Sequence, residues 1–250
     1  MNQNCDLLRE TLNNLVLDEE LLSANIISIY IYGSFVTDEL TAKSDIDSYI
    51  IVKDVNPELL NKIKELKAEV EKKLEREFFV NISQQTDFSP ENFINNSFTH
   101  RERPYYFLFE LKYNFQLFYG RNFVKEINFP EMMEGRVKEE CLRLLKNLQY
   151  LNNKLIVNSE TKLYPKDAAC KNILFAAKIF QIFNEYRFNN YLESVNYMAS
   201  CLNSQVPLLA YRLNKQPELL SVPEEISVSD SIIFYKVAIK YMTQSLSNSR

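Results

Sequence analysis

Two carboxylates separated by one residue stand at the start of a predicted strand. Asp45 and Asp47 flank Ile46 and precede an apolar run that ends at Val52. Because side chains i and i+2 leave the same face of a strand, we expect the carboxylates to project together from Cα atoms about 6.5 Å apart. Mg²⁺ prefers oxygen ligands and is usually held by one or two carboxylates plus substrate phosphates. The pair is therefore a candidate magnesium site for a metal-bound nucleotide.

A second feature, Gly33-Ser34, follows the strand that the run IISIYIY predicts over 26–32. A residue without a side chain lets the backbone approach a ligand closely. Exposed N–H groups and the Ser34 hydroxyl are suitable donors to phosphate oxygens. These residues are therefore candidate phosphate-binding groups.

Each feature also has a plain structural interpretation. An Asp-x-Asp pair at a strand start is, taken alone, more often a solvated turn than a metal site. The alternative interpretation of Gly33 is that it is merely a turn glycine. The combination of Gly33-Ser34 with the carboxylate pair, at this spacing, favours nucleotide binding over those interpretations.

The spacing also carries a family resemblance. Gly33-Ser34, nine residues, and then Ser44-Asp45-Ile46-Asp47 followed by apolar residues resemble the signature of the nucleotidyltransferase superfamily with the DNA polymerase β fold. The small bacterial members, aminoglycoside adenylyltransferases and minimal nucleotidyltransferases, are the most similar. Leu117-Phe118-Tyr119-Gly120 is similar to the L-Y-G that closes this domain in many relatives.

The resemblance implies a reaction in which a hydroxyl attacks the α-phosphate of a nucleoside triphosphate and releases pyrophosphate. It implies that Asp45 and Asp47 are catalytic residues and ligands of Mg²⁺. It further implies that Gly33, Ser34 and Ser44 bind the nucleotide. Each of these roles is an expectation for the positions that match the motif.

The family usually has a third carboxylate on a neighbouring strand, in a pattern such as V-D-V. The best match is Val80-Asn81-Ile82, which makes Asn81 the third catalytic candidate. Its carbonyl can coordinate a cation, but an amide lacks the negative charge and cannot take a proton as a carboxylate does. Asn81 is therefore either an altered site residue or an ordinary polar strand residue. Glu77, four residues earlier on the same predicted face, is the alternative.

The surrounding pattern predicts an α+β fold, with a small mixed sheet, flanking helices and an all-helical C-terminal part. Besides 26–32, strands are predicted over 46–52, 78–86 and up to Gly120, and a helix starts at Pro57 and ends near Glu77. The first half of 105–119 is too aromatic to assign. Further helices are predicted over 1–25, 131–156, 165–186, 191–202, 207–213 and 229–246. We expect a nucleotidyltransferase-like domain over 1–128 and a helical domain over 129–250, which would form the other wall of the acceptor cleft.

Composition excludes several classes of protein. The chain has 250 residues with a net charge of −4, which gives no overall attraction to nucleic acid or anionic lipid. Its four cysteines form no C-x-x-C pair and it has a single histidine, so a structural zinc site and a disulfide framework are disfavoured. No signal-like or membrane-spanning stretch is evident, which predicts a cytoplasmic protein without membrane contact.

The favoured hypothesis is transfer of a nucleoside monophosphate, AMP from ATP, to a hydroxyl of a small molecule or a protein. The acidic balance disfavours a nucleic-acid acceptor. One alternative is a nucleotide-binding or partner-binding protein that keeps the fold but has lost turnover, as Asn81 would allow. Another is an antitoxin-like interaction module whose helical half is the working surface.

Overall fold

The computed structural model describes residues 3–36, 44–88, 104–127, 136–157, 166–216 and 226–248. The chain divides into two compact units, Met1–Glu134 and Gly135–Arg250. The predicted boundary between residues 128 and 129 lies outside the described residues, so that assignment stays a prediction.

A four-stranded mixed sheet forms the centre of the first unit. Its strands are β1 (Ile26–Tyr32), β2 (Ile46–Val52), β3 (Phe78–Gln84) and β4 (Gln116–Gly120). They lie in the order β3-β2-β1-β4. The β1 strand is antiparallel to β2 and β4, whereas β2 and β3 are parallel. The α+β class and the mixed sheet predicted from sequence are confirmed.

Three helices cover one face of this sheet: α1 (Gln3–Leu17), α2 (Glu20–Asn25) and α3 (Pro57–Leu74). The α3 helix starts where the Asn56 side chain accepts the Leu59 N–H at 2.8 Å, with Pro57 in the first turn. Buried residues at helical spacing then face the strands. They are Leu59, Ile63, Leu66 and Val70. Each fully buried aliphatic side chain contributes about 1.5–3 kcal/mol, which fixes this helix face against the sheet.

A fourth helix, α4 (Pro104–Tyr113), packs with the opposite face of the sheet. This helix is the part of the aromatic segment that the sequence left unassigned. Phe107, Leu108 and Leu111 of α4 join Tyr30 and Tyr49 in a separate apolar cluster. The sheet is therefore covered on both faces, and β1 and β2 are almost wholly buried.

The start of β3 is tied to α3 at the edge of the sheet. Lys67 Nζ donates to the Phe78 carbonyl at 2.6 Å and contacts Glu71. Glu71 Oε1 in turn accepts the Phe78 N–H at 2.9 Å. Both interactions lower the pKa of the Glu71 carboxyl. The pair satisfies an edge backbone group and fixes where β3 begins.

The second unit is built from five described helices: α5 (Val137–Val157), α6 (Lys166–Glu185), α7 (Tyr191–Leu202), α8 (Val206–Lys215) and α9 (Val228–Asn248). The α6 helix packs against α5, α7 and α8 and is their common centre. Its side chains Ile173, Ala176, Ala177 and Phe180 are fully buried. A buried polar contact joins α6 to α7, where Ser194 Oγ donates to Gln181 Oε1 at 2.6 Å.

Several predicted boundaries differ from the observed ones. The N-terminal segment forms two helices instead of one, and α3 ends at Leu74 because Glu75 takes a left-handed conformation (φ 53°). The β3 strand ends at Gln84 because the Asp87 carboxylate accepts the Gln84 N–H at 2.9 Å and starts a 3₁₀ turn. Residues 131–135, predicted as helix, lie outside the described residues.

Among the described residues, no helix combines the length and apolar character needed to span a bilayer.

Gly120, at the end of β4, is a backbone position that no other residue fits. It has φ +79°, and a Cβ added there would lie 2.1 Å from the Ile27 carbonyl oxygen. We predict that Gly120→Ala lowers the free energy of unfolding by about 1–3 kcal/mol, measured by urea titration. Glu75→Ala is the control, because Glu75 is also left-handed but already carries a Cβ. Equal stability of the two variants would contradict this prediction.

Candidate functional site

The two aspartates lie at the start of β2, on the face away from α1 and α3. Asp45 is the last residue before the strand and Asp47 is its second residue, and both are partly exposed. Ile46 and Ile50 point into the α1–α3 core, whereas Tyr49 joins the α4 cluster. The alternation therefore places both carboxylates on the Tyr49 face, as the spacing predicts.

Gly33 lies directly against the second carboxylate. Tyr32, the last residue of β1, is paired with Asp47, so the chain turns beside this side chain. Gly33 has φ +74°, and a Cβ added to it would lie 2.7 Å from Asp47 Oδ2. A glycine is therefore required here for two reasons, the left-handed backbone and the space that the carboxylate occupies.

Ser34 is held in the same turn, a 3₁₀ segment over Gly33–Phe35. The Phe35 side chain is buried in the core, and its carbonyl accepts a weak hydrogen bond from Cys5 Sγ at 3.6 Å. The Val36 carbonyl accepts Gln116 Nε2 at 3.2 Å. These anchors fix the backbone that would meet a phosphate, and the turn presents Gly33 and Ser34 beside Asp47.

Ser44 lies next to Asp45, and its backbone is held from outside the motif. Arg76 Nη1 donates to the Ser44 carbonyl at 2.8 Å. The adjacent Ile46 N–H donates to the Glu77 carbonyl at 2.8 Å. Arg76 thus holds the chain that leads into the carboxylate pair.

Asn81 lies on the same face of the sheet as Asp47, but two residue pairs further along. The parallel register pairs Asp47 with Phe79 and Tyr49 with Asn81. Asn81 Nδ2 donates to the Tyr32 hydroxyl at 3.0 Å and is 3.5 Å from the Ser48 carbonyl oxygen. The residue beside Asp47 on β3 is therefore an aromatic one, Phe79, and the amide lies across β2 from Tyr32.

Glu77, the alternative third carboxylate, is exposed just before β3. Among the residues that the structure describes, which include Asp45, Asp47 and Glu77, no group of three or more His, Cys, Asp or Glu is placed to hold a metal ion. The described part of the chain thus offers Asp45 and Asp47 as carboxylates, with the Asn81 amide two register positions beyond Asp47.

Sequence reasoning missed three residues that shape this site: Tyr32, Ser48 and Arg76. Tyr32 bonds Asn81 and stacks on Phe115, with ring centroids 4.2 Å apart and an interplanar angle of 6°. Ser48 is fully buried, and its hydroxyl donates to the Phe79 carbonyl at 2.7 Å. The alternation in IISIYIY was the available signal for Tyr32, since it places that ring on the face of Asp47.

The side chains that pack around Tyr49 on this face are aromatic. Tyr49 is fully buried, its hydroxyl contacts Ser83 Oγ, and its ring packs on Phe107 and Phe115. Burial raises the pKa of Tyr49 far above its ordinary value. The phenol therefore stays neutral.

These residues fit a magnesium-bound triphosphate. Two carboxylates project from one face, and a side-chain-free backbone segment lies against one of them. Mg²⁺ typically keeps several waters and uses one or two carboxylates together with phosphate oxygens, so a donor set of this kind is sufficient. Asp45 and Asp47 would hold the cation, whereas Asn81 turns its Nδ2 toward Tyr32 and Ser48.

A family comparison agrees with this geometry. Residues 16–100 match the family model described as "Polymerase beta, Nucleotidyltransferase". The match covers about a third of the chain and includes β1, β2, α3 and β3, with the Gly33-Ser34 turn and both aspartates.

A solved structure is similar over nearly the whole chain. It is the crystal structure of spectinomycin adenyltransferase AAD(9) from Enterococcus faecialis with ATP and spectinomycin. The TM-score is 0.59 at 15% sequence identity, over 94% of this chain and 98% of that chain. Comparison with curated protein sequences found no match. The chain therefore has a polymerase β-like fold, and the fold that the resemblance implied is confirmed.

The contact between Gly33 and Asp47 gives a direct test of the site. We predict that Gly33→Ala folds but binds Mg²⁺-nucleotide at least about tenfold more weakly, because the new methyl group displaces Oδ2. Calorimetric titration with ATP and Mg²⁺ measures the affinity, and thermal unfolding measures the stability. The destabilised Gly120→Ala variant is the control, since its added methyl group meets β1 backbone instead of a carboxylate. Undiminished binding by Gly33→Ala would exclude this turn from the site.

Proposed function

We propose that the protein transfers AMP from ATP, with Mg²⁺, to a hydroxyl of a small molecule or a protein. The observation that carries the proposal is the approach of the left-handed Gly33 to the Asp47 carboxylate, which joins a phosphate-binding turn to a metal-binding pair. The match of residues 16–100 to the nucleotidyltransferase model supports nucleotidyl transfer. ATP as donor and a small-molecule acceptor are proposed by analogy with the adenyltransferase crystallised with ATP and spectinomycin.

In this mechanism, Asp45 and Asp47 would hold the metal, while the N–H groups of the Gly33–Phe35 turn and the Ser34 hydroxyl would bind phosphate oxygens. Arg76 keeps Asp45 in place through the Ser44 carbonyl. Bound Mg²⁺ supplies charge neutralisation at the phosphoryl oxygens. Position and charge then supply most of the catalysis, as is general for phosphoryl transfer.

The proton of the attacking hydroxyl needs an acceptor. Asn81 cannot take it, because a neutral amide has no basic oxygen at ordinary pH. Among the described residues of this site, Asp45 and Asp47 are then the candidate acceptors, and a phosphate oxygen of the substrate is the alternative. We therefore expect slower turnover than a third carboxylate would allow.

The second candidate function is nucleotide binding without turnover, which the Asn81 amide favours. Incubation with radiolabelled ATP, Mg²⁺ and a panel of hydroxyl acceptors, including spectinomycin and the protein itself, distinguishes the two. Release of pyrophosphate with label on an acceptor supports transfer. Tight Mg²⁺-dependent binding without pyrophosphate release would support the binding protein.

The metal assignment is tested at the aspartates. We predict that Asp45→Ala and Asp47→Ala each weaken Mg²⁺-dependent ATP binding about tenfold or more in calorimetric titration, since each removes a ligand charge. Asp54→Ala is the matched control, because Asp54 is exposed beyond the other end of β2. Both variants should remain folded, because removing one of two repelling carboxylates costs little. Unchanged binding in both would overturn the assignment.

The role of Asn81 is tested by restoring the charge. We predict that Asn81→Asp tightens Mg²⁺ binding and raises any transfer rate, by up to the ~10²- to 10⁴-fold typical of a positioned general base. Without metal the variant should be less stable near neutral pH, because a third anion lies near the pair, and added Mg²⁺ should restore stability.

Asn196→Asp, which adds the same charge at an exposed position of α7, is the control for this variant. Calorimetry gives the metal affinity, and thermal unfolding with and without Mg²⁺ gives the stability. If Asn81→Asp behaves like Asn196→Asp in both, residue 81 lies outside the metal site.

A further inference from the structure

Phe79 is an exposed aromatic residue next to the aspartate pair. It is the β3 residue paired with Asp47, and adjacent strands lie about 4.8 Å apart. Alternation places it on the face of Asp47, because its neighbours Phe78 and Val80 pack into the core on the other face. Phe79 is 42% exposed, whereas Tyr49, the next β2 residue on this face, is fully buried. Position 79 is therefore the place where β3 comes next to the carboxylate pair.

Hydrogen bonds fix the backbone at this position. The Phe79 carbonyl accepts the Ser48 hydroxyl at 2.7 Å, and the backbone of the preceding Phe78 is bonded to Lys67 and Glu71. Lys67 Nζ also lies 5.8 Å from the centroid of the Phe79 ring. The ring thus lies near an ammonium group and brings no negative charge of its own.

The other described residues around the pair add no third acidic ligand. Gly33, on the β1 side, has no side chain, and Tyr49 stays neutral because burial raises its pKa. Asn81 is an uncharged amide. Glu77 lies just before β3, but no group of three or more His, Cys, Asp or Glu among the described residues is placed to hold a metal ion. The described part of the site therefore supplies two carboxylates.

Two carboxylates balance the charge of one divalent cation. Sites that hold two metal ions keep them about 3.5–4 Å apart, where two doubly charged ions repel each other strongly. Triphosphate oxygens complete the shell of a cation that one or two carboxylates already hold, so a second cation needs protein carboxylates in addition. Position 79 is where β3 could supply one, and a phenyl ring is not a ligand for a hard cation.

We propose that Phe79 limits the site to a single divalent cation, held by Asp45 and Asp47 together with the triphosphate. The proposal rests on the proposed metal-nucleotide site and deepens it by giving the number of metal ions. Phe79 acts through its position: it is an uncharged residue at the one register position of β3 that pairs with Asp47.

The test counts the metal ions that the full-length protein binds. The protein is dialysed to equilibrium against Mn²⁺ and a saturating non-hydrolysable ATP analogue, and manganese is measured on both sides of the membrane by elemental analysis. Manganese on free analogue is equal on both sides, so the difference is the metal on the protein. The Asp45→Ala/Asp47→Ala double variant gives the manganese bound elsewhere, which is subtracted. We expect about one Mn²⁺ per chain, and about two in the unmodified protein would overturn the proposal.

Phe79→Asp tests the residue itself. A carboxylate beside Asp47 should raise the count to about two Mn²⁺ per chain. Phe79→Asn is the matched control, because it removes the ring and has nearly the shape of aspartate without the charge, and its count should stay at about one. Equal counts for the two variants, whether one or two, would overturn the proposal.

Thermal unfolding shows whether these variants fold, since both replace a partly buried ring on an edge strand. Phe79→Glu carries the same charge on a longer side chain and takes the place of Phe79→Asp if that variant does not fold. The count for the unmodified protein needs no variant at position 79, and it supports or overturns the single-cation claim by itself.

The aspartates distinguish failure of this proposal from failure of the proposed function. If the unmodified protein binds more manganese and more analogue than the Asp45→Ala/Asp47→Ala variant, the metal-nucleotide site stands and the counts decide the role of Phe79. If the two bind equally, the proposed site fails and the single-cation proposal fails with it.

Discussion

The candidate site depends on one close approach, that of the Gly33 backbone to the Asp47 carboxylate. The antiparallel pairing of β1 with β2 sets Tyr32 opposite Asp47, so the residue after β1 must turn beside that side chain. A left-handed glycine makes the turn and leaves the carboxylate its space. The carboxylate proposed to bind the metal and the N–H groups proposed to bind phosphate are thereby brought together, which neither strand achieves alone.

Packing within the rest of the first unit fixes the positions of these strand ends. The apolar residues of α1 and α3 fix one face of the sheet, and the aromatic cluster around Tyr49 fixes the other. Lys67 and Glu71 form hydrogen bonds with the Phe78 backbone at the start of β3, and the Ser48 hydroxyl donates to the Phe79 carbonyl. These contacts fix the position of β3 beside β2.

The local parts of this arrangement could be predicted from sequence, and the contacts between strands could not. The runs 26–32 and 46–52 predicted β1 and β2 because dense β-branched residues with defined ends have few other solutions. The α4 helix was not assigned, because an aromatic segment without periodicity fits a strand as well as a helix. The contact of Tyr32 with Asn81 depends on the β2–β3 register and on a ring crossing β2, and neither is visible in local spacing.

A crystal structure of the protein with Mn²⁺ and a non-hydrolysable ATP analogue tests the central claim most directly. Anomalous scattering locates the metal independently of the nucleotide. The account predicts one Mn²⁺ peak coordinated by Asp45 and Asp47, with the triphosphate against the backbone of Gly33 and Ser34. A nucleotide bound elsewhere, or a metal peak that contacts neither aspartate, would contradict it.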